Sequence, residues 1–321
     1  MNARICGTGS MLPKKTVTNF DLAERMETSD EWISSRTGIR ERHIATTETT
    51  AQMATSAARK ALEEAKMQPE ELEMILVATV TADHIAPSAA CEVQAALGAV
   101  NAVAVELNAA CSGFVFALNT AQAYVRAGIY KKLLVVGVET LSKVVDWTDR
   151  STCILFGDGA GAAVLEAVEE GGIQDFVQHT DGGKGSALLC DARPLKNLFV
   201  DNPFGQEFVK MDGQEVFKFA VKRVAESIDI VLDRNQILPG QVSLYVLHQA
   251  NARIIQAVAK HLGEDMDKFP MNIDHCANTS GASVPILLDE LNRAGRIKRG
   301  DKIVLSGFGG GLTWGSIYMI W

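Results

Sequence analysis

The chain is short of several things. No uncharged apolar run approaches the ~18 residues that cross a bilayer, so neither a transmembrane helix nor a membrane partner is expected. The opening residues, MNARICGTGS, have no basic segment leading into a long apolar one. No secretory signal is read, and a reduced, cytoplasmic setting is expected. Basic charge is in deficit: 31 Lys and Arg against 39 Asp and Glu leave a net charge of −8, which argues against a nucleic acid partner. No C-x-x-C pair occurs. The six cysteines (Cys6, Cys91, Cys111, Cys153, Cys190 and Cys276) stand apart in apolar or glycine-rich surroundings, so a disulfide framework is not expected. No close Cys/His pair has finger spacing, so no metal site is expected either. What remains is 321 residues, 47% hydrophobic and 22% charged. That suffices for one large domain or two of ordinary size around a substantial core.

Short runs rich in Val, Ile and Leu recur at 72–80, 133–138, 242–247 and 302–306, and read as strands covered on both faces. Helical patterns lie between them. Over 50–66, Met53, Ala57, Ala61 and Ala65 form one stripe; over 215–234, Val216, Phe219, Ala220, Val224 and Ile228 form another. This alternation predicts an α/β fold with a largely parallel sheet. The two halves also resemble each other. Ser112-Gly113 and Ser280-Gly281 each open an apolar helix, and KLLVVG and KIVLSG follow at Lys132 and Lys302. The sequence is therefore read as an internal duplication, residues 1–172 and 173–321, with a Gly/Pro-rich excursion at 181–204.

Cys111 stands in NAACSGF, between a predicted strand at 102–107 and an apolar helix. A sulfur at a helix N-terminus is expected to favour the thiolate, and its small neighbours permit a sharp turn. His248 follows a predicted strand, at the carboxyl end where α/β ligands bind. Asn278 precedes the helix SVPILLDEL. Taken singly, each has a plain structural explanation: an inert buried thiol, a core imidazole, a helix cap. The duplication places Cys111 and Asn278 at nearly equivalent positions, so a pseudo-twofold axis brings both helix starts to one cleft. Three glycines at 309–311 expose backbone N–H groups, and one of them can join the Cys111 N–H in holding an oxyanion.

These segments together resemble β-ketoacyl-acyl carrier protein synthase III, the initiating condensing enzyme family of type II fatty acid synthesis. The resemblance rests on AACSGF, HQANARII, NTSGASVP and GFGGGLTWG, with TSDEWI at 28–33, RTGIRER at 36–42 and FGDGAG at 156–161. It implies a thiolase-like five-layered αβαβα fold and a homodimer. It implies that Cys111 accepts an acyl group from acyl-CoA, and that His248 and Asn278 promote decarboxylation of malonyl-acyl carrier protein. Cys111 and Gly310 would form the oxyanion hole, with no cofactor beyond the substrates. A neutral His248 is expected, because two neutral donors suit an enolate. For coenzyme A the resemblance implies Thr28, Trp32, Arg36, Arg150 and Asn251, with adenine between Trp32 and Arg150. An acidic carrier protein needs a local basic patch: Lys218 and Lys222 are one turn apart with Arg223 adjacent, Lys210 and Lys260 are further candidate cations, and in the Gln249, Ala250, Asn251, Ala252 and Arg253 segment Arg253 matches the family's docking arginine. One departure matters. Ala86 stands before Pro87 where acetyl-specific relatives carry Phe, which leaves room for a longer or branched primer.

Other readings fit less well. A papain-like protease places its Cys near the mature N-terminus in a different context. A thiolase wants a second Cys beside the C-terminal glycine loop, and elongating synthases want His at position 278. A non-catalytic acyl-CoA-binding module would not need all three reactive residue types.

Overall fold

The computed structural model describes residues 1–192, 197–199 and 208–321. The rest of the excursion expected at 181–204 lies outside the described residues. The first half runs β1 (Asn2–Met11), β2 (Lys15–Thr18), α1 (Asn19–Ala23), α2 (Asp30–Thr37), β3 (Glu41–Ile44), α3 (Thr50–Ala65), β4 (Met74–Ala78), α4 (Ala89–Leu97), β5 (Val103–Leu107), α5 (Gly113–Arg126), β6 (Lys132–Glu139) and β7 (Gly159–Val168). The second runs β8 (Gly172–Thr180), β9 (Leu188–Leu189), β10 (Lys210–Met211), α6 (Gly213–Arg234), β11 (Leu244–Leu247), α7 (Ala252–Leu262), α8 (Ile273–Cys276), α9 (Ser283–Arg293), β12 (Lys302–Gly309) and β13 (Thr313–Ile320).

Two mixed sheets carry the fold. Their strand orders are β1-β7-β6-β4-β5 and β11-β12-β13-β8. Period-two alternation decides which face each residue covers. On β4, Met74, Leu76 and Ala78 point into a central core, and Ile75 and Val77 point away from it. On β11, Leu244 and Val246 point into that same core, and Tyr245 and Leu247 point away. The central core also holds Phe114, Val115 and Leu118 of α5 with Leu287, Leu288 and Leu291 of α9. Helices α3 and α4 cover the outer face of the first sheet, and α6 and α7 that of the second. The result is five layers, αβαβα, as the resemblance implies.

The repeat offset in the structure is 170 residues through the central strands. Met74 and Leu244 begin one equivalent pair, Lys132 and Lys302 another. The connecting turns agree, since Ala110 (φ 47°) and Ser280 (φ 50°) both take the left-handed conformation. This corrects the sequence alignment of Ser112-Gly113 with Ser280-Gly281. Gly113 is matched by Ser283 and Cys111 by Gly281, so Cys111 and Asn278 are not equivalent; Asn278 is the mate of Asn108.

Candidate active site

Each half packs its one-turn 3-10 segment onto the other half's sheet. A Cβ on Gly307 of β12 would stand 3.1 Å from Ser112 Cα, and one on Gly309 would stand 2.5 Å from Cys111 N. In the opposite sense, a Cβ on Gly137 of β6 would stand 2.3 Å from Gly281 O. Glycine is required at these crossings because backbone meets backbone. The exchange carries Cys111 to the end of β12, and brings the Asn278 turn to the end of β6.

Two cavities meet at Cys111. One, of about 290 Å³, is lined by Cys111, His248, Asn278, Phe308, Trp32 and Arg36 among others. The second, of about 610 Å³, is lined by Cys111, Asn108, Gly310, Ser280, Leu189 and Val80 among others. The three residues singled out in the sequence therefore share one chamber, and the sulfur sits where that chamber opens into the other.

Hydrogen bonds fix which atoms face the chamber. His248 is buried, with its ring edge-on to Phe308 at 5.0 Å. Its Nδ1 lies 2.6 Å from Ser283 Oγ, which also accepts from the Gln249 N–H at 3.2 Å. The Ser283 hydroxyl keeps its proton and a second lone pair for Nδ1, so it can partner that atom in either tautomer, and Nε2 is the ring nitrogen left for a substrate. Burial pushes the His248 pKa down to about 3, so the imidazole is neutral at physiological pH. Asn278 Oδ1 accepts from the Ser280 N–H at 2.8 Å, which orients the Nδ2 amide away from that turn as a donor.

Cys111 departs from expectation. Burial raises its pKa to about 11, against the lowering expected of a helix start. The Ser280 hydroxyl and the Cys111 and Gly310 N–H groups pull the other way, and Glu139 adds to the rise. Desolvation outweighs them, so the resting group is a thiol. The Cys111 and Gly310 amides thus both lie beside the sulfur. Glu139 escaped the sequence reading. It is fully buried, accepts from Thr81 Oγ1 at 2.5 Å and from Ser280 Oγ at 3.3 Å, and burial raises it to about 7. Ser283 and Ser280 escaped too, although a polar residue inside an apolar helix start is a signal that could have been read.

Of the expected nucleotide residues, Trp32, Arg36 and Asn251 line the chamber, and Arg150 and Thr28 do not. Trp32 carries the Arg36 guanidinium 4.7 Å from its ring centroid and that of Arg150 at 5.2 Å. A purine between Trp32 and Arg150 needs about 7 Å, two van der Waals contacts, so Arg150 must swing aside. It is held here by a 2.6 Å bond to Glu27 O. Thr28 lies outside the lining of the chamber, and its buried hydroxyl finds no partner among the described residues. Asn251 lines the chamber, but its side chain caps α7 and donates to Arg36 O at 3.1 Å.

Of the expected docking residues, Lys218 and Arg253 are exposed and share a groove with Arg36, while Ala250, Asn251 and Ala252 are half-buried. Gln249 is a correction. It is fully buried and folded back, donating to Leu247 O and accepting from the Asn272 N–H, so it presents nothing to a partner. Lys210, Lys222 and Lys260 are exposed; Arg223 pairs with Glu226 and stacks on Trp314. Ala86 is exposed and lines neither cavity of its own chain.

Comparison with known proteins agrees with this geometry. Two family models match: 3-oxoacyl-[acyl-carrier-protein] synthase III over residues 105–182, and the C-terminal part of the same synthase over residues 232–321. A beta-ketoacyl-[acyl-carrier-protein] synthase III of Clostridium acetobutylicum is 48% identical over all of this chain and 99% of its own. One from Caldanaerobacter subterraneus is 49% identical over 99% of this chain and 98% of its own. The crystal structure of 3-oxoacyl-[acyl-carrier-protein] synthase III from Aquifex aeolicus superposes with a TM-score of 0.94 at 45% identity, covering 99% of this chain and 100% of that one.

Proposed function

The chain belongs to the β-ketoacyl-[acyl-carrier-protein] synthase III family of condensing acyltransferases, and from that premise we propose how its residues divide the initiating reaction of fatty acid synthesis. An acyl-CoA primer enters past Trp32 and Arg36. The Cys111 sulfur attacks the thioester carbonyl, and the Cys111 and Gly310 N–H groups hold the oxyanion. Coenzyme A leaves and carries off the thiol proton, so the buried sulfur never has to persist as a free thiolate. Malonyl-acyl carrier protein then takes the vacated chamber. Its carboxylate departs as CO₂, leaving the electron pair on the α-carbon and the enolate charge on the thioester oxygen. His248 Nε2–H and Asn278 Nδ2–H hold that oxygen. The carbanion attacks the acyl carbonyl, the Cys111 sulfur leaves as thiolate and takes up one proton from solvent, and a 3-oxoacyl carrier protein is released.

The observation that carries this reading is that His248 and Asn278 are both anchored by their far atoms in the chamber that holds the sulfur: His248 Nδ1 lies against Ser283 Oγ, and Asn278 Oδ1 accepts from the Ser280 N–H. With the Ser283 hydroxyl as donor to Nδ1, two neutral N–H groups are left for the substrate oxygen. No cofactor is needed for these steps. The acidic carrier protein is read as docking on exposed Lys218 and Arg253. A second copy of the chain is read as pairing along the edge strand β5, which exposes Val103 and Val105; that pairing would bring Ala86 of one copy to the other's primer cavity. A cytoplasmic setting suits these substrates, and no described helix is long and apolar enough to cross a membrane. The join of the repeats is placed at 172/173, supported by the passage from one sheet to the other between Val168 and Gly172.

Mass spectrometry of products from malonyl-acyl carrier protein with a panel of acyl-CoA primers tests the reading. Chain-extended 3-oxoacyl products that vanish in Cys111→Ala are expected; their absence in the unaltered protein would refute it. Ala86→Phe should demote longer and branched primers about 10-fold in kcat/KM, and an unchanged ranking would remove Ala86 from the primer wall.

A further inference from the structure

Three donors of different chemistry meet on the far side of the Asn278 segment. His275 and Cys276 end α8, and Glu290 comes from α9; the ligand atoms of all three lie within 4.8 Å of one another. The spacings have a recognisable size. Glu290 Oε1 is 3.4 Å from His275 Nε2 and 3.7 Å from Cys276 Sγ. A tetrahedral zinc ion with usual ligand lengths spans about 3.4 Å between N and O, and about 3.6 Å between S and O.

The surroundings match what metal ligands need. The other ring nitrogen of His275, Nδ1, lies 2.9 Å from Asp274 Oδ1, the carboxylate–imidazole arrangement that turns a ring toward an ion. The other oxygen of Glu290 accepts from Asn272 Nδ2 at 3.0 Å. Cys276 is 1% exposed, so its sulfur is shielded from bulk solvent, whereas His275 is half-exposed and leaves a way in. Glu290 also lines a surface pocket of about 660 Å³ with Glu63, Glu64 and Asp289 against Lys60 and Arg293.

We propose that His275, Cys276 and Glu290 bind one divalent cation of borderline softness, zinc by donor set, with a fourth position left to water. The thiol binds as thiolate and releases its proton to solvent. The ion clips α8 to α9, and so closes the loop that presents Asn278. Finger spacing could not reveal this site, because the third ligand lies fourteen positions beyond Cys276 on the next helix. The absence of a metal expected from sequence is set aside on that ground.

Cobalt(II) is the probe, added to chelator-treated full-length protein. One equivalent should bind, give a thiolate-to-cobalt charge-transfer band, and be displaced by zinc. Cys276→Ser should abolish the band while the other five thiols remain. Glu290→Gln should weaken cobalt binding at least 10-fold. Asp274→Asn alters an exposed side chain and tests the site where a core variant fails to fold; it should weaken binding about 10–100-fold. A band that survives Cys276→Ser, or an affinity indifferent to both Glu290→Gln and Asp274→Asn, would overturn the assignment.

Discussion

The two halves of the molecule place different residues at the same points of one design. At a spacing of 170, Ala78 answers to His248, Gly113 to Ser283, Cys111 to Gly281 and Asn108 to Asn278. In the first half a Cβ on Gly113 would stand 3.0 Å from Ala78 Cβ, so that corner is small and dry. In the second half the same corner holds the Ser283–His248 hydrogen bond. Both halves form the same Asx turn, Ala110 N–H to Asn108 Oδ1 at 3.3 Å and Ser280 N–H to Asn278 Oδ1 at 2.8 Å. Only Asn278 shares a cavity with His248; Asn108 lines the other, and Cys111 lines both. One half supplies the sulfur, and the other supplies His248 and Asn278 in the same chamber. The division follows from cross-packing, because each turn is seated on the opposite sheet.

The comparison can be broken at several points. The largest effect is expected from His248→Ala or Asn278→Ala: condensation should fall 10²–10³-fold, as for loss of an oxyanion donor, with acylation of Cys111 by acyl-CoA retained. Parallel loss of both steps would show that the halves do not divide the work. Next is Glu139, whose mate is Gly309. Burial raises its pKa from 4.5 to about 7. The folded state therefore holds this proton more tightly, and the stability it contributes is present below pH 4.5 and lost as pH rises through 7. Glu139→Gln should remove a pH dependence on the order of 3 kcal/mol across that window, read from denaturant unfolding at several pH values. Parallel curves for the two proteins would contradict the burial argument.

Smaller effects sharpen the same picture. Gly309→Ala puts a methyl 2.5 Å from Cys111 N, so about 1–3 kcal/mol of stability should go. Acylation should slow with it, because the displaced Cys111 N–H is half of the proposed oxyanion hole. Ser283→Ala leaves His248 Nδ1 without its partner; condensation should drop roughly 10-fold, about the worth of one hydrogen bond, and Ser283→Thr should restore part of it. Equal rates for Ser283→Ala and the parent would mean that something else anchors the imidazole.

Much of this was legible in the chain. The apolar runs at 72–80 and 242–247 lie at strand positions, and the residues after them, with Cys111 and Asn278 at the turns, mark the ends where polar groups converge. The duplication was legible as well, but only to within a few residues, and three residues decide whether Cys111 faces Asn278 or its mate. Seating on the opposite sheet is a long-range fact that local pattern does not hold. The same is true of Glu139 and Ser283, whose partners lie 141 and 35 residues away. Desolvation of Cys111 was missed for a related reason: helix position is visible in sequence, whereas depth of burial is not. Gln249 shows it too, since the residues after it in HQANAR reach the surface and it does not.

The division of labour is tested most directly by incubating the His248→Ala/Asn278→Ala double variant with acetyl-CoA and weighing the Cys111 peptide. Near-stoichiometric acetylation of Cys111, with no CO₂ released when malonyl-acyl carrier protein is added, is the predicted result. An unmodified Cys111, or CO₂ release at the parent rate, would contradict the account.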